Sequence, residues 1–174
     1  KGAIQRMYSS TEAMDANGLT INLAWLAASL VVIACAAWLI KRLCEEHLLV
    51  DAQLVTALTL LLISPVSWSH HWVWLTLIIP VFVYRAWTWL PSGWAAGSLL
   101  TVLIAWAAML LTVPPKWWWG DQVDVHAMER YQKFWVDDFV WLTILAVALF
   151  AAAFYASRRN NRNTSTATPV QLAS

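Results

Sequence analysis

The stretch Leu19-Thr20-Ile21-Asn22-Leu23-Ala24-Trp25-Leu26-Ala27-Ala28-Ser29-Leu30-Val31-Val32-Ile33-Ala34-Cys35-Ala36-Ala37-Trp38-Leu39-Ile40 contains no charged side chain. A helix needs about 20 apolar residues to cross roughly 30 Å of hydrocarbon, and this run supplies them before Lys41 and Arg42 close it. Four further runs, 48–64, 71–90, 94–113 and 139–155, are nearly free of charge. Together they predict an all-α polytopic bundle of about five transmembrane helices. The second and fifth runs are short, and the third contains Pro80 and Arg85. Proline is tolerated in such a helix because neighbouring helices can satisfy the freed carbonyl.

Composition points the same way. With 60% hydrophobic and only 12% charged residues, the chain cannot cover a soluble domain with polar groups. Fourteen tryptophans suit the headgroup layer, where an indole buries its ring and keeps its N–H wet. A formal net charge of +1 leaves no broad basic face, which argues against nucleic-acid binding. Cys35 and Cys44 lie too far apart along one helix to bridge each other and form no metal or redox spacing.

Orientation follows from the short loops. Lys41, Arg42, Arg85, Arg158, Arg159 and Arg162 alternate correctly to share one side, the cytoplasmic one by the positive-inside rule. The other side then holds an N-terminal segment, 1–18, the turn at 64–70 and a long external loop, 114–138. The transmembrane domain is 19–157, and the Asn-, Thr- and Ser-rich tail 158–174 is expected to be disordered and cytoplasmic. The sequon at Asn163 falls on that same side and is read as chance. The chain opens on Lys1, and its first apolar run is too long for a signal peptide and lacks a cleavage site, so it reads as part of a longer protein.

The chemically informative segment joins the second and third runs: Ser64-Pro65-Val66-Ser67-Trp68-Ser69-His70-His71-Trp72-Val73-Trp74. Pro65 ends one helix, because the residue before a proline is pushed out of helical geometry. Ser67 or Ser69 can then cap the next. That would put His70 and His71 in a helix's first turn, where unpaired N–H groups and the positive dipole end favour an anion such as phosphate. The dipole disfavours imidazolium, so neutral histidines able both to donate and to accept are expected. Trp68, Trp72 and Trp74 offer flat faces for a sugar ring or lipid chain. The plainer alternative is an interfacial aromatic belt, favoured for the isolated Trp25, Trp87 and Trp94. Adjacent histidines in a proline-bounded turn are poor belt residues, however, and polar clusters within a membrane are usually functional. Neighbouring helical positions differ by about 100°, so only one of the two histidines is expected to face the bundle. A metal site would have to recruit His126 with Asp121 or Asp124, and no spacing supports it. No metal or other cofactor is expected.

A second candidate is the loop Pro114-Pro115-Lys116-Trp117-Trp118-Trp119-Gly120-Asp121. It combines a rigid turn, three aromatics and a cation, and could close over a lipid-linked substrate with Lys116 or Arg130 pairing to phosphate. It reads equally well as an interfacial loop without chemistry. Asp137, Asp138 and Asp51 stand where carboxylates suit helix N-termini, and no catalytic role is assigned to them.

The segment 64–74 resembles the Ser-Pro-(Ile/Val)-Ser-Trp-x-His-His-Trp signature of glycosyltransferase family 87, actinobacterial GT-C mannosyltransferases that use a polyprenyl-phosphate sugar. The opening Lys1-Gly2-Ala3-Ile4-Gln5-Arg6 and the short spans before a basic polar tail are similar to that family's C-terminal region. The resemblance implies an external active site, a polyprenyl-phosphate sugar donor, a glycolipid or other cell-envelope glycan acceptor, and the histidine pair near the donor phosphate. It also implies that the catalytic base, a carboxylate in the first external loop, lies in a missing N-terminal half of the same protein. The rival readings are a transporter or flippase of lipid-linked sugars, for which no inverted repeat or midplane charge is evident, and a non-catalytic assembly subunit.

Overall fold

The computed structural model describes residues 2–8, 11–64, 73–112, 118 and 128–166, and among these there is no strand. Two short helices, α1 (Gly2–Arg6) and α2 (Thr11–Ala16), precede α3 (Gly18–Glu45). Then come α4 (Leu49–Ile63), α5 (Leu75–Trp89), a 3₁₀ turn at Leu90–Ser92, α6 (Trp94–Leu111), α7 (Arg130–Val136) and α8 (Asp138–Thr166). Each of the five apolar runs thus coincides with a helix. Three of them, α3, α6 and α8, are long and apolar enough to cross a membrane, while α4 is apolar but shorter. The architecture is that of an all-α membrane bundle.

Local chemistry explains the two tight reversals. At the end of α3, the Leu48 N–H donates to the Leu43 carbonyl at 2.9 Å and the His47 N–H donates to that of Cys44 at 3.0 Å. This is the Schellman closure, with His47 at φ 58° in the left-handed position that glycine or asparagine usually fills. Leu43 is fully buried and Leu48 packs on the same cluster, the apolar contact that accompanies such a cap. Between α5 and α6, Pro91 sits inside the 3₁₀ turn and Gly93 takes φ 129°, a conformation open to glycine.

Helices α3 and α4 run antiparallel, Trp25 near the start of one meeting Ile63 at the end of the other, and so do α6 and α8. At one end of the α6–α8 pair, Ala95 and Ala96 meet Ala153, small residues that let the backbones approach. At the other, Trp106 meets Phe139 edge-on with centroids 6.5 Å apart. Phe82 of α5 stacks on Phe150 of α8 at 4.2 Å, both rings fully buried. Trp38 of α3 stacks on Tyr155 of α8 at 5.1 Å. In lipid, where apolar burial drives helices together weakly, such close packing carries association. The outer face of α3 leaves Leu23, Leu30 and Val31 more than half exposed, as suits a surface turned to acyl chains.

Lys41, Arg42, Arg85 and Arg158 gather at one end of the bundle, here called the basic end. Arg42 pairs with Glu45 at 2.9 Å, Lys41 reaches the same carboxylate at 4.0 Å, and Arg158 pairs with Glu46. Ile63 at the close of α4 and Leu75 at the start of α5, which flank 64–74 in sequence, lie at the opposite end. One difference from the sequence reading concerns the tail. The helix α8 continues through Arg158, Arg159 and Arg162 to Thr166, so the first part of the expected disordered tail is helical; 167–174 lie outside the described residues. The Arg158–Glu46 pair ties the first turn of this extension back to the end of α3.

Candidate functional site

The motif end is framed by residues on both sides of the signature. Ile63 closes α4, and its carbonyl, one of the four that a helix leaves without an internal partner, accepts a hydrogen bond from Trp25 Nε1 at 3.1 Å. Trp25 is therefore more than the belt residue expected from sequence: it anchors the strand of chain that leads into Ser64. On the far side, Val73 and Trp74 form a 3₁₀ turn before α5. The Thr76 hydroxyl donates to the Val73 carbonyl at 2.7 Å, and Val73 and Trp74 are 62% and 49% exposed, so α5 begins at an open surface. Ser67, Trp68, Ser69, His70, His71 and Trp72 lie outside the described residues, as do Lys116 and Trp117.

Trp118 and the α7 region supply an aromatic surface at the same end. Trp118 sits 6.3 Å from Trp135, Phe134 stacks on Trp141 at 4.7 Å, and the Trp141 indole donates to the Phe134 carbonyl at 3.1 Å. Tyr131, Phe134 and Trp135 are each more than 40% exposed. Arg130 opens α7, after a reciprocal capping box between Glu129 and Gln132. The underside of this surface is polar: Lys133 is buried and donates to the Tyr8 carbonyl at 3.2 Å, and Asp137 and Asp138 are buried beside it in sequence. Sequence reading placed these carboxylates only as helix-end charges. Among the described residues no group of three or more metal-ligating side chains comes together.

The interaction that sequence reading missed lies at the basic end. Arg85 Nε donates to Asp51 Oδ1 at 2.8 Å, and Nη2 donates to Oδ2 at 2.7 Å. Asp51 is fully buried, while the Arg85 side chain keeps 26% of its surface. A parallel two-bond fork is the strongest and most directional way for a guanidinium to hold a carboxylate. The signal was available: opposite charges stand in two successive apolar runs, each within about two turns of the same end, and intramembrane charges ordinarily find each other.

No family model matches the chain, and no solved structure does. Three curated relatives match parts of it. A polyprenol-phosphate-mannose-dependent alpha-(1-2)-phosphatidylinositol mannoside mannosyltransferase of Mycobacterium tuberculosis is 40% identical over 63 residues, covering 36% of this chain and 15% of the relative. The Mycolicibacterium smegmatis protein of the same name is 35% identical over 89 residues, covering 45% of this chain and 20% of the relative. A phosphatidylinositol pentamannoside mannosyltransferase with the same donor, from a second strain of M. tuberculosis, is 33% identical over 113 residues, covering 65% of this chain and 22% of the relative. The chain thus spans about a fifth or less of the length of these relatives, and its similarity to them is that of one part of a polyprenol-phosphate-mannose-dependent mannosyltransferase.

Proposed function

We propose that these residues form the C-terminal part of a membrane mannosyltransferase of glycosyltransferase family 87 and the GT-C class. It moves mannose from a polyprenyl-phosphate donor to a phosphatidylinositol mannoside or a related cell-envelope glycolipid. The observation that carries this reading is that all three relatives bear names specifying the same donor and the same kind of acceptor. The Ser-Trp-Ser-His-His signature also supports it, because a donor phosphate wants hydrogen-bond donors and its sugar or lipid wants aromatic faces at a membrane surface.

In this reading the motif end faces the outside and the basic end, with Arg158, Arg159 and Arg162, faces the cytoplasm. In the same reading α3, α4, α5, α6 and α8 all cross the bilayer, α5 with the help of its flanking 3₁₀ turns. A carboxylate contributed by another part of the protein takes the proton of the acceptor hydroxyl. The leaving phosphate is stabilised by His70 or His71, by backbone N–H groups and by a basic side chain such as Lys116 or Arg130. Trp68, Trp72, Trp117 and Trp118 hold the sugar or the prenyl chain, and Ser67 and Ser69 cap the turn.

The test is transfer of radiolabelled mannose from polyprenyl phosphate by the intact protein in native membranes. A labelled phosphatidylinositol mannoside bearing one further mannose is the expected product. Movement of the labelled donor across the bilayer with no glycosidic product would replace this reading with a flippase.

A further inference from the structure

We propose that Asp51 and Arg85 are positioning residues: their ion pair fixes the angle between α4 and α5 and thereby the separation of the helix ends that carry the segment 64–74. The proposal rests on the reading that this segment takes part in transfer.

Helices α4 and α5 are joined in sequence but are not each other's main packing partners. The former packs chiefly on α3, the latter on α6 and α8. A seam therefore runs between the α3–α4 pair and the α5–α6–α8 group, and the helix ends that flank 64–74 in sequence belong one to each side. Among the described residues, the ionic contacts across this seam are at the opposite end: Arg85 of α5 on Asp51 of α4, and Arg158 of α8 on Glu46 beside α3. In both, the acid comes from the pair and the base from the group. Trp38 stacks on Tyr155 across the seam toward the same end.

Three features suit the Asp51–Arg85 contact to setting an angle rather than merely adding attraction. The fork fixes direction as well as distance, with both bonds under 3 Å. Asp51 is fully buried, so its carboxylate has no solvent alternative if the helices drift. Finally, the contact sits far from the segment it controls. Asp51 precedes Ile63 by twelve residues, about 18 Å of helix. A tilt of α4 by about 5° at the clasp therefore moves its other end by about 1.6 Å. Misplacement of about 1 Å at a reacting centre can cost roughly a hundredfold in rate.

The experiment places spin labels at Leu60→Cys and Leu77→Cys, exposed positions near the motif ends of α4 and α5, in the intact protein with its other cysteines replaced. Pulsed dipolar distances are compared for the parent, Arg85→Lys and the double variant Asp51→Leu/Arg85→Met, alongside mannose transfer. The double variant removes both charges together and leaves neither stranded, so it is expected to fold. Expected are one narrow distance in the parent, a shifted or broadened distribution in the double variant, and a smaller change in Arg85→Lys, which keeps the charge and loses the fork. The kcat is expected to fall about tenfold or more in the double variant with KM for the donor nearly unchanged. A parent-like distribution in the double variant, or an altered distribution with parent-like kcat, overturns the proposal. Absence of transfer by the parent sinks the functional reading instead, and leaves the distances to decide the clasp.

Discussion

Breaking the Asp51–Arg85 pair from its two sides is expected to have unequal consequences for stability. The asymmetry follows from burial: the carboxylate is fully enclosed, whereas the guanidinium keeps 26% of its side-chain surface. Arg85→Gln strands a carboxylate that water cannot reach, and removing one partner of a buried pair costs about 3–5 kcal/mol. Asp51→Asn strands a guanidinium that still meets solvent and retains an amide oxygen to bond, so its cost is set by weakened hydrogen bonding at about 1–3 kcal/mol. Asp51→Leu/Arg85→Met leaves no stranded charge and is expected to cost less than Arg85→Gln alone, since apolar replacements of buried pairs are often neutral. The assay is reversible unfolding in mixed detergent micelles followed by circular dichroism, with the coupling taken from the double-mutant cycle. Equal losses in the two single variants, or a double variant weaker than both, would refute the reasoning.

Other expectations bear on topology, completeness and the frame of the site. Cys44, an exposed free thiol at the basic end, is expected to react with an impermeant maleimide only in permeabilised cells, whereas a cysteine introduced at Trp74 reacts in intact ones; the reverse pattern would invert the orientation. Purified residues 1–174, supplied with donor and acceptor lipids, are expected to show no turnover, because the proposed function takes its transfer base from another part of the protein; measurable transfer would remove that part of the proposal. Trp25→Phe deletes the bond to the Ile63 carbonyl and keeps most of the ring, so a loss of about 1 kcal/mol is expected in the same unfolding assay. No loss would show that water replaces the indole there.

The fold was largely legible because membrane helices announce themselves by length and lack of charge, as 19–40 does within Gly18–Glu45. Their ends were less so. The helix α8 outruns its apolar segment because continuing hydrogen bonds and the Arg158–Glu46 contact favour helix over an otherwise tail-like composition. Pairings between runs were the least legible. In sequence Arg85 reads as a marker of sidedness and Asp51 as a helix-end charge, since periodicity tells which face is apolar but not which neighbour a charge meets 34 positions away. Trp25 reads as a belt residue in sequence for the same reason: its partner is a backbone carbonyl that no side-chain pattern reveals. Of the candidate site, 65–72 lie outside the described residues, while the buried Lys133 near the α7 aromatics required the fold.

The most direct test of the transferase account is single-turnover mannose transfer by the intact protein carrying His70→Ala and, separately, His71→Ala. Loss of a donor that stabilises the leaving phosphate is expected to slow at least one variant by about a hundredfold to a thousandfold, with folded protein at parent levels. Parent-like rates in both variants would contradict it.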